Sequence, residues 1–311
     1  MKLTRNFLVI ACLQTMLLGQ VNVQSPCFAY LENGDVYASC SGEVVRLTRT
    51  RDASDFAIAD TGSTLAVKRE RVVGRTKDGN GVIVDCNVRL YSLSADTLPR
   101  TMVDHGCGEL FSSCGTLLRQ DRTEEPEDIL TRTQIDIEGL KSFLCSANKT
   151  VVAGWRERCC HDFLVRGPSV SQAEPIVDGA SVSPAGVVAY VSSGLSGPSS
   201  ENSLCVINNA GNRRCLKDAD AFGKLSVSDS GEVLFTTHTE GGCRYRKNSI
   251  IRAIPPEFGD DQCLGVAIWI PGSAKQLVKD LVQRPQWLTS EAWFGIRSCV
   301  KSKNCSAKLG H

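Results

Sequence analysis

The sequence predicts an all-β protein built from six copies of an antiparallel unit of four short strands. Three observations support this prediction. A turn phrase recurs along the chain, a second phrase closes several units at a spacing of about 40 residues, and the two chain ends supply complementary parts of one unit. The 311 residues contain 42% hydrophobic side chains, enough to form a substantial core.

The turn phrase marks the first hairpin of each unit. Its clearest copies end in Gly62, Gly186 and Gly231, each directly before an apolar run rich in β-branched or aromatic residues. Glycine accepts the positive φ of a tight turn, and such apolar runs favour strands. Weaker copies at 112–118, 147–153 and 289–294 bring the number of predicted units to six.

The closing phrase is an apolar residue, any residue and then aspartate. It occurs four times, ending at Asp104, Asp178, Asp218 and Asp280. Asp178 and Asp218 lie 40 residues apart, which is the period of a four-stranded propeller blade. Between turn phrases the chain supplies a second hairpin, such as 204–207 with 213–216.

The strand after each turn is predicted to be covered on both faces. Val187–Val191 is apolar at every position except for the hydroxyl of its tyrosine, and a strand of this kind needs neighbouring sheets on both sides. Sheets stacked as blades around an axis provide that cover. The fold class that we predict is therefore a six-bladed β-propeller.

The two ends of the chain would complete the ring. Residues 35–47 form a second hairpin with no first hairpin before it, and residues 285–297 are predicted to form a first hairpin with nothing after it. Pairing the N- and C-terminal strands in one blade would close the ring and protect its sheet edges.

The repeat resembles that of the TolB-like group of WD40-like six-bladed propellers, which carry Ser-Pro-Asp-Gly before an apolar strand. Ser183-Pro184-Ala185-Gly186 keeps the proline, and Asp60 and Asp229 supply an acidic residue in the equivalent turns. The resemblance covers about residues 35–300. It implies a binding platform in the periplasm or outside the cell, or a gating domain attached to a peptidase.

The N-terminus predicts export. Lys2 and Arg5 precede an apolar stretch over 7–18, and a small residue at Gly19 or Ser25 could mark the cleavage site. We therefore predict a signal peptide over 1–25 and a propeller domain over 26–311, secreted or periplasmic. A lipoprotein box ending at Cys12 is the alternative. No later stretch reaches the ~18 apolar residues of a spanning helix, so no membrane span is expected in the mature chain.

Charge and motifs argue against several functions. A net charge of +1 offers no strong attraction for nucleic acid, which is not an expected partner. The sequence lacks a Gly-x-Ser-x-Gly elbow, a phosphate-binding glycine loop and a His-Glu-x-x-His helix. Cys159-Cys160-His161-Asp162 could hold a nucleophile or a metal, but adjacent cysteines in an exported chain favour two separate disulfides. No catalytic residue, metal site or cofactor is predicted.

Fourteen cysteines follow the predicted signal peptide, and an even number in an exported chain predicts disulfides. Spacing favours five short-range pairs: Cys27 with Cys40, Cys107 with Cys114, Cys205 with Cys215, Cys243 with Cys263, and Cys299 with Cys305. No pairing is predicted for Cys86, Cys145, Cys159 or Cys160. The alternative is that several cysteines are small buried apolar residues.

Loop length predicts which face of the propeller binds a ligand. The connections from second to third strand are long at 69–86, 121–128, 192–203 and 239–263, and in a propeller they all emerge on one face. The insertion between Cys243 and Cys263 is the best candidate for recognition, unless it is a solvated excursion with balanced charges. Its candidate ligand-binding residues are Arg244, Tyr245, Arg246, Arg252, Asp260 and Asp261.

The sequence thus predicts a non-catalytic propeller that binds a protein, peptide or glycan through its long-connection face. Two alternatives stay open. The first is a metal-assisted hydrolase or lyase with carboxylates at the central channel, where the four closing aspartates would hold a cation such as Ca²⁺ unless they bind amides in their own turns. The second is a purely structural module of the cell envelope.

Overall fold

The computed structural model describes residues 26–76, 81–93, 107–120, 125–156, 163–174, 177–192, 202–239 and 264–301. Their strands form six antiparallel sheets, which are the six blades of a β-propeller. The predicted fold class is confirmed. Each blade runs outward from an inner strand, and the blades are numbered below in chain order, with the blade that contains both chain ends counted as blade 6.

The chain starts in blade 6 and continues through blades 1 and 2. Blade 6 begins with β1 (Phe28–Glu32), β2 (Asp35–Cys40) and β3 (Glu43–Arg46). Blade 1 contains β4 (Ala53–Ile58), β5 (Thr64–Arg75) and β6 (Val82–Ser92). Blade 2 contains β7 (Glu109–Ser113), β8 (Thr116–Gln120), β9 (Glu127–Asp128) and β10 (Thr133–Gln134). The fourth strand of blade 1, predicted at 100–103, lies outside the described residues.

Blades 3, 4 and 5 have four strands each. Blade 3 contains β11 (Ser142–Cys145), β12 (Val152–Trp155), β13 (Phe163–Gly167) and β14 (Val170–Glu174). Blade 4 contains β15 (Val177–Val182), β16 (Val188–Ser192), β17 (Ser203–Ile207) and β18 (Arg213–Leu216). Blade 5 contains β19 (Phe222–Val227), β20 (Val233–His238), β21 (Leu264–Trp269) and β22 (Gln276–Asp280). The chain then returns to blade 6 with β23 (Gln283–Trp287) and ends its described part in α1 (Ser290–Lys301).

The ring closes where β23 pairs antiparallel with β1, with Phe28 opposite Trp287 and Leu31 opposite Gln283. The predicted closure by both termini is confirmed, but the predicted number of strands that each terminus contributes to blade 6 is wrong. The N-terminus contributes three strands because β1, which was not predicted, precedes β2. The C-terminus contributes one strand, and the predicted hairpin over 285–297 is instead β23 followed by α1.

Helix α1 is favoured by an N-capping residue and by apolar residues at helical spacing. The Thr289 hydroxyl accepts a hydrogen bond from the Ala292 amide at 3.0 Å and caps the first turn. Ala292, Ile296 and Cys299 are buried at intervals of four and three residues, which gives one apolar stripe. The helix packs on Gly62, whose φ is +66° and where an added Cβ would lie 2.3 Å from the Ala292 Cα.

The second strands are covered on both faces, as predicted. In β16 and its preceding turn, Val187, Ala189 and Val191 pack in one apolar cluster with residues of blade 5. Val188 and Tyr190 pack in another cluster with residues of blade 3. Alternation along the strand therefore joins three blades into one continuous core.

The recurring turns also contact each other from blade to blade. The Ser112 hydroxyl donates to Asp60 Oδ1 at 2.9 Å, between blades 1 and 2. The Ala147 amide donates to the Pro184 carbonyl at 3.0 Å, and the Ala185 amide donates to Asp229 Oδ1 at 2.9 Å. These bonds explain why a turn phrase recurs along the chain, since each copy supplies donors or acceptors to the next blade.

Four disulfides lie within the described residues. Cys27–Cys40 and Cys205–Cys215 are present as predicted. The predicted Cys107–Cys114 bond is wrong, because β7 lies extended between the two cysteines and at ~3.3 Å per residue separates them beyond disulfide range. Cys107 is bonded instead to Cys86, and Cys114 to Cys145.

The remaining predicted pairs stay predictions. Cys243 and Cys263 both lie outside the described residues, as do Cys159 and Cys160. Cys299 is buried and disulfide-bonded, but its predicted partner Cys305 lies outside the described residues.

Candidate functional site

A two-stranded arm extends blade 1 at its second-to-third-strand connection. It consists of Glu70–Arg75 of β5 and Val82–Cys86 of β6, and β4 ends its pairing with β5 at Arg69. The long loop predicted over 69–86 is therefore mostly a hairpin extension. Only residues 77–80 of this connection lie outside the described residues.

The arm exposes four large aliphatic side chains. Their exposed fractions are 61% for Val72, 56% for Val73, 57% for Val82 and 49% for Ile83. Single exposed apolar residues are ordinary on a protein surface, whereas a cluster of them marks a surface for interaction. All four belong to one hairpin, in which Gly74 is opposite Ile83 and Arg75 is opposite Val82. Because successive residues of a strand point to opposite faces, both faces of the arm expose aliphatic side chains.

The base of the arm is fixed to blade 2. Cys86 of β6 is bonded to Cys107, which lies just before β7. The buried Lys68 ammonium donates to the Cys107 carbonyl at 3.0 Å and pairs with Glu70 Oε1 at 2.9 Å. A projecting hairpin held in this way loses little conformational freedom when a partner binds it.

A buried lysine closes the central channel. Lys224, on the inner strand of blade 5, donates to the carbonyl oxygens of Phe56 at 2.6 Å and Leu110 at 2.5 Å. Its ammonium also lies 5.4 Å from the ring centroid of Phe56 and 5.3 Å from that of Phe111. Blades 5 and 2 are opposite each other in a ring of six, so this side chain crosses the axis.

Asp55 is the counter-charge of this lysine. It is fully buried on β4, accepts amide hydrogen bonds from Phe56 and Leu110 at 2.8 Å each, and lies 3.4 Å from Lys224 Nζ. Arg284 Nη1 is also 3.4 Å from Asp55. Burial alone would raise the pKa of Asp55, but the neighbouring cations and the Leu110 amide lower it below its usual value.

The charged groups do not fit a central metal site. A divalent ion at Asp55 would have to displace Lys224 and Arg284, both of which already neutralise this carboxylate. Within the described residues no group of three or more potential metal ligands comes together. Asp178, Asp218 and Asp280 are exposed at the passages between blades, and Asp104 lies outside the described residues.

A cavity of about 150 Å³ opens on the face of the propeller where the recurring turns lie, opposite the face from which the arm projects. Asp60, Ser112, Asp229 and Trp287 line it, and Lys224 forms part of its wall. Burial raises the pKa of Asp60; the Ser112 hydrogen bond opposes this shift, and the nearby Asp229 charge adds to it. Sequence reasoning missed this cavity because the turns were interpreted only as structural elements.

The predicted ligand-binding residues of the insertion are not described by the structure. Arg244, Tyr245, Arg246, Arg252, Asp260 and Asp261 all lie in the segment 240–263, outside the described residues. The strands that flank this segment, β20 and β21, are joined by the same type of connection as β5 and β6. The end of β20 and the start of β21 therefore lie on the face from which the arm projects.

Comparison with known proteins does not assign a family. No protein-family model and no curated protein matches the chain. Matching solved structures include a eukaryotic initiation factor, with 11% identity and a TM-score of 0.34 over 84% of this chain and 87% of that one. Hydrazine synthase from Kuenenia stuttgartiensis matches with 10% identity and a TM-score of 0.29 over 84% of this chain. The chain spans 46% of that synthase chain, and the fold assignment rests on the strand pairing alone.

Proposed function

We propose that this protein is an exported, non-catalytic propeller that binds a partner protein through its long-connection face. The observation that carries the proposal is the set of four exposed aliphatic side chains on the arm, whose base a disulfide and a buried lysine hold in place. Burying aliphatic side chains against an apolar protein surface is favourable by roughly 25 cal/mol per Å².

The partner class follows from the chemistry of the exposed groups. Val72, Val73, Val82 and Ile83 offer no hydrogen bonds, whereas glycan sites use aromatic rings and polar groups that contact sugar hydroxyls. The charges around the cluster have both signs, with Arg71 opposite Asp85 and Glu70 beside Lys68. Such a surface fits an apolar protein patch with a mixed polar rim.

The expected compartment is supported by the disulfides. Four cysteine pairs are bonded in the described part of the chain, and such bonds persist in oxidising surroundings. No helix among the described residues has the length and apolar character needed to cross a membrane. Secretion or residence in the periplasm remains part of the proposal, together with the signal peptide over 1–25.

Crosslinking in the native exported compartment, followed by mass spectrometry, tests the proposal. An arm variant would carry Val72→Thr, Val73→Thr, Val82→Thr and Ile83→Thr, which keep β-branched side chains in both strands. A matched control would carry Val44→Thr and Leu277→Thr, two residues 54% exposed on the outer strands of blades 6 and 5. We expect the arm variant to lose its protein crosslinks and the control to keep them.

A third variant separates the arm from the predicted insertion. Shortening the segment between Arg244 and Gln262 should weaken the same crosslinks if the insertion also contacts the partner. If the arm variant keeps every crosslink at wild-type yield while it remains folded, the proposed protein interface is wrong. Recovery of a glycan in place of a protein would also contradict it.

A further inference from the structure

The Cys205–Cys215 disulfide differs from the others in having an arginine against its two sulfurs. Arg213 Nε donates to Cys215 Sγ at 3.3 Å, and its Nη2 donates to Cys205 Sγ at 3.5 Å. In none of the three other pairs whose two cysteines are both described does a cation lie within hydrogen-bond distance of a sulfur. Hydroxyl groups lie beside Cys40 and Cys114, at 4.0 and 3.7 Å.

The arginine is held in this position by blade 4 and its neighbour. Arg213 Nη1 lies 2.8 Å from Glu174 Oε1, and its guanidinium is 5.6 Å from the ring centroid of Tyr190. The Tyr190 hydroxyl donates to the same Glu174 oxygen at 2.9 Å. The guanidinium is therefore held by a carboxylate and an aromatic ring, while the Arg213 side chain remains 39% exposed.

The two cysteines differ in their access to solvent. Cys215 is exposed on β18, the outer strand of blade 4, whereas Cys205 is fully buried on β17 directly opposite it. An external thiolate can therefore approach Cys215 from solvent, with the Cys205 sulfur as the leaving group. A positive charge beside a thiol stabilises its thiolate, and a more stable thiolate leaves faster.

We propose that Cys205–Cys215 is a redox-active disulfide that undergoes exchange with an external thiol through attack at Cys215. The incoming thiolate forms a new sulfur–sulfur bond with Cys215 while the Cys205–Cys215 bond breaks. The bonding electron pair leaves on Cys205, whose thiolate is stabilised by Arg213. A second thiolate of the same reagent then attacks the reagent sulfur of the mixed disulfide, which releases Cys215 as a thiolate and leaves the reagent oxidised to its own disulfide.

Reduction would loosen an outer strand and leave the ring intact. β18 pairs with β17 alone, and its residues are mostly exposed. The ring closure between β23 and β1 lies in a different blade. The exchange would thus change the edge of blade 4 without opening the propeller.

Limited reduction of the folded protein by dithiothreitol, followed by alkylation and peptide mass spectrometry, tests this proposal. Among the four described pairs, we expect Cys205 and Cys215 to be alkylated first. Arg213→Gln should slow their alkylation by about 3- to 10-fold, since it removes the charge that stabilises the thiolate. Arg213→Lys should restore part of the rate.

The matched control is Arg214→Gln, which removes a neighbouring exposed arginine on the same strand. This variant should react at the wild-type rate, and in urea all variants should react alike because the folded geometry is lost. If another described pair is reduced first, or if Arg213→Gln reacts as fast as Arg214→Gln, the proposal is overturned. Thermal unfolding of each oxidised variant checks that its fold is retained.

Discussion

The ammonium of Lys224, on the inner strand of blade 5, lies 2.6 Å from the carbonyl oxygen of Phe56, on the inner strand of blade 1. Blade 6 separates these two blades along the ring, so the bond is made across the channel. Together with Asp55 and the Leu110 carbonyl, it replaces an open axis by a buried charged cluster. The centre of this propeller is thus a structural element.

Removing the lysine should destabilise the fold strongly. Lys224→Met fills a similar volume but leaves Asp55 buried with a weaker counter-charge, which costs about 3 to 5 kcal/mol of unfolding free energy. Urea unfolding with the disulfides intact measures this loss. The exposed Lys217→Met should stay within about 0.5 kcal/mol of wild type, and equal stability of the two variants would contradict the structural role of Lys224.

The contact between helix α1 and Gly62 should be intolerant of any side chain. Gly62→Ala places a Cβ against the helix backbone at a positive φ, and we expect a loss of about 2 to 4 kcal/mol in urea unfolding. Gly42 has a φ of +83° with nothing within 4 Å of its added Cβ, so Gly42→Ala should cost only about 1 kcal/mol. Similar losses in both variants would show that α1 does not pack on this turn.

Asp60, which lines the cavity on the turn face, should make the folded protein less stable as the pH rises. Its pKa is raised in the folded protein, so the unfolded chain binds fewer protons between the two pKa values and stability falls as pH rises through that window. Asp60→Asn should therefore raise the thermal midpoint at pH 7, relative to wild type, by more than it does at pH 3. An NMR titration of Asp229→Asn should show the Asp60 pKa moved down toward its usual value.

The disulfide at the base of the arm should control the mobility of the arm. Cys86→Ser with Cys107→Ser removes the covalent bond to blade 2, and hydrogen exchange of amides 70–75 and 82–86 should become faster. Cys27→Ser with Cys40→Ser removes a bond in blade 6 and should leave those amides unchanged. An arm that exchanges equally fast in both variants would not be held by Cys86–Cys107.

Local sequence patterns predicted a hairpin correctly where turn-forming residues separate two strand-forming runs. The hairpin predicted over 204–207 and 213–216 is β17 and β18, because turn residues 208–212 separate two strand-forming runs. The arm could have been predicted in the same way. Val72-Val73 and Val82-Ile83-Val84 are β-branched runs on either side of Asp78-Gly79-Asn80-Gly81, a turn sequence inside the long connection predicted over 69–86.

Two errors had causes that local sequence does not show. Residues 289–294 resemble a degenerate turn, but the apolar stripe of Ala292, Ile296 and Cys299 finds a surface to cover at Gly62, and a helix forms. Cys107 and Cys114 are close in sequence, yet an extended strand separates them and their partners come from elsewhere. A short separation in sequence therefore did not mean that two cysteines were close in space, because an extended strand places its two ends on opposite sides of a blade.

The sequence by itself determined the repeated unit, the number of blades and the closure of the ring by both termini, because turn chemistry and strand periodicity are local properties. Only the tertiary structure decided that Lys224 crosses the channel to Asp55, that Cys86 and Cys107 fix the arm, and that Arg213 lies against a disulfide. The first depends on which blades lie across the centre of the ring from each other. The second depends on which blades are neighbours in the ring. The third depends on the register of two strands, which places one guanidinium over two sulfurs that face each other.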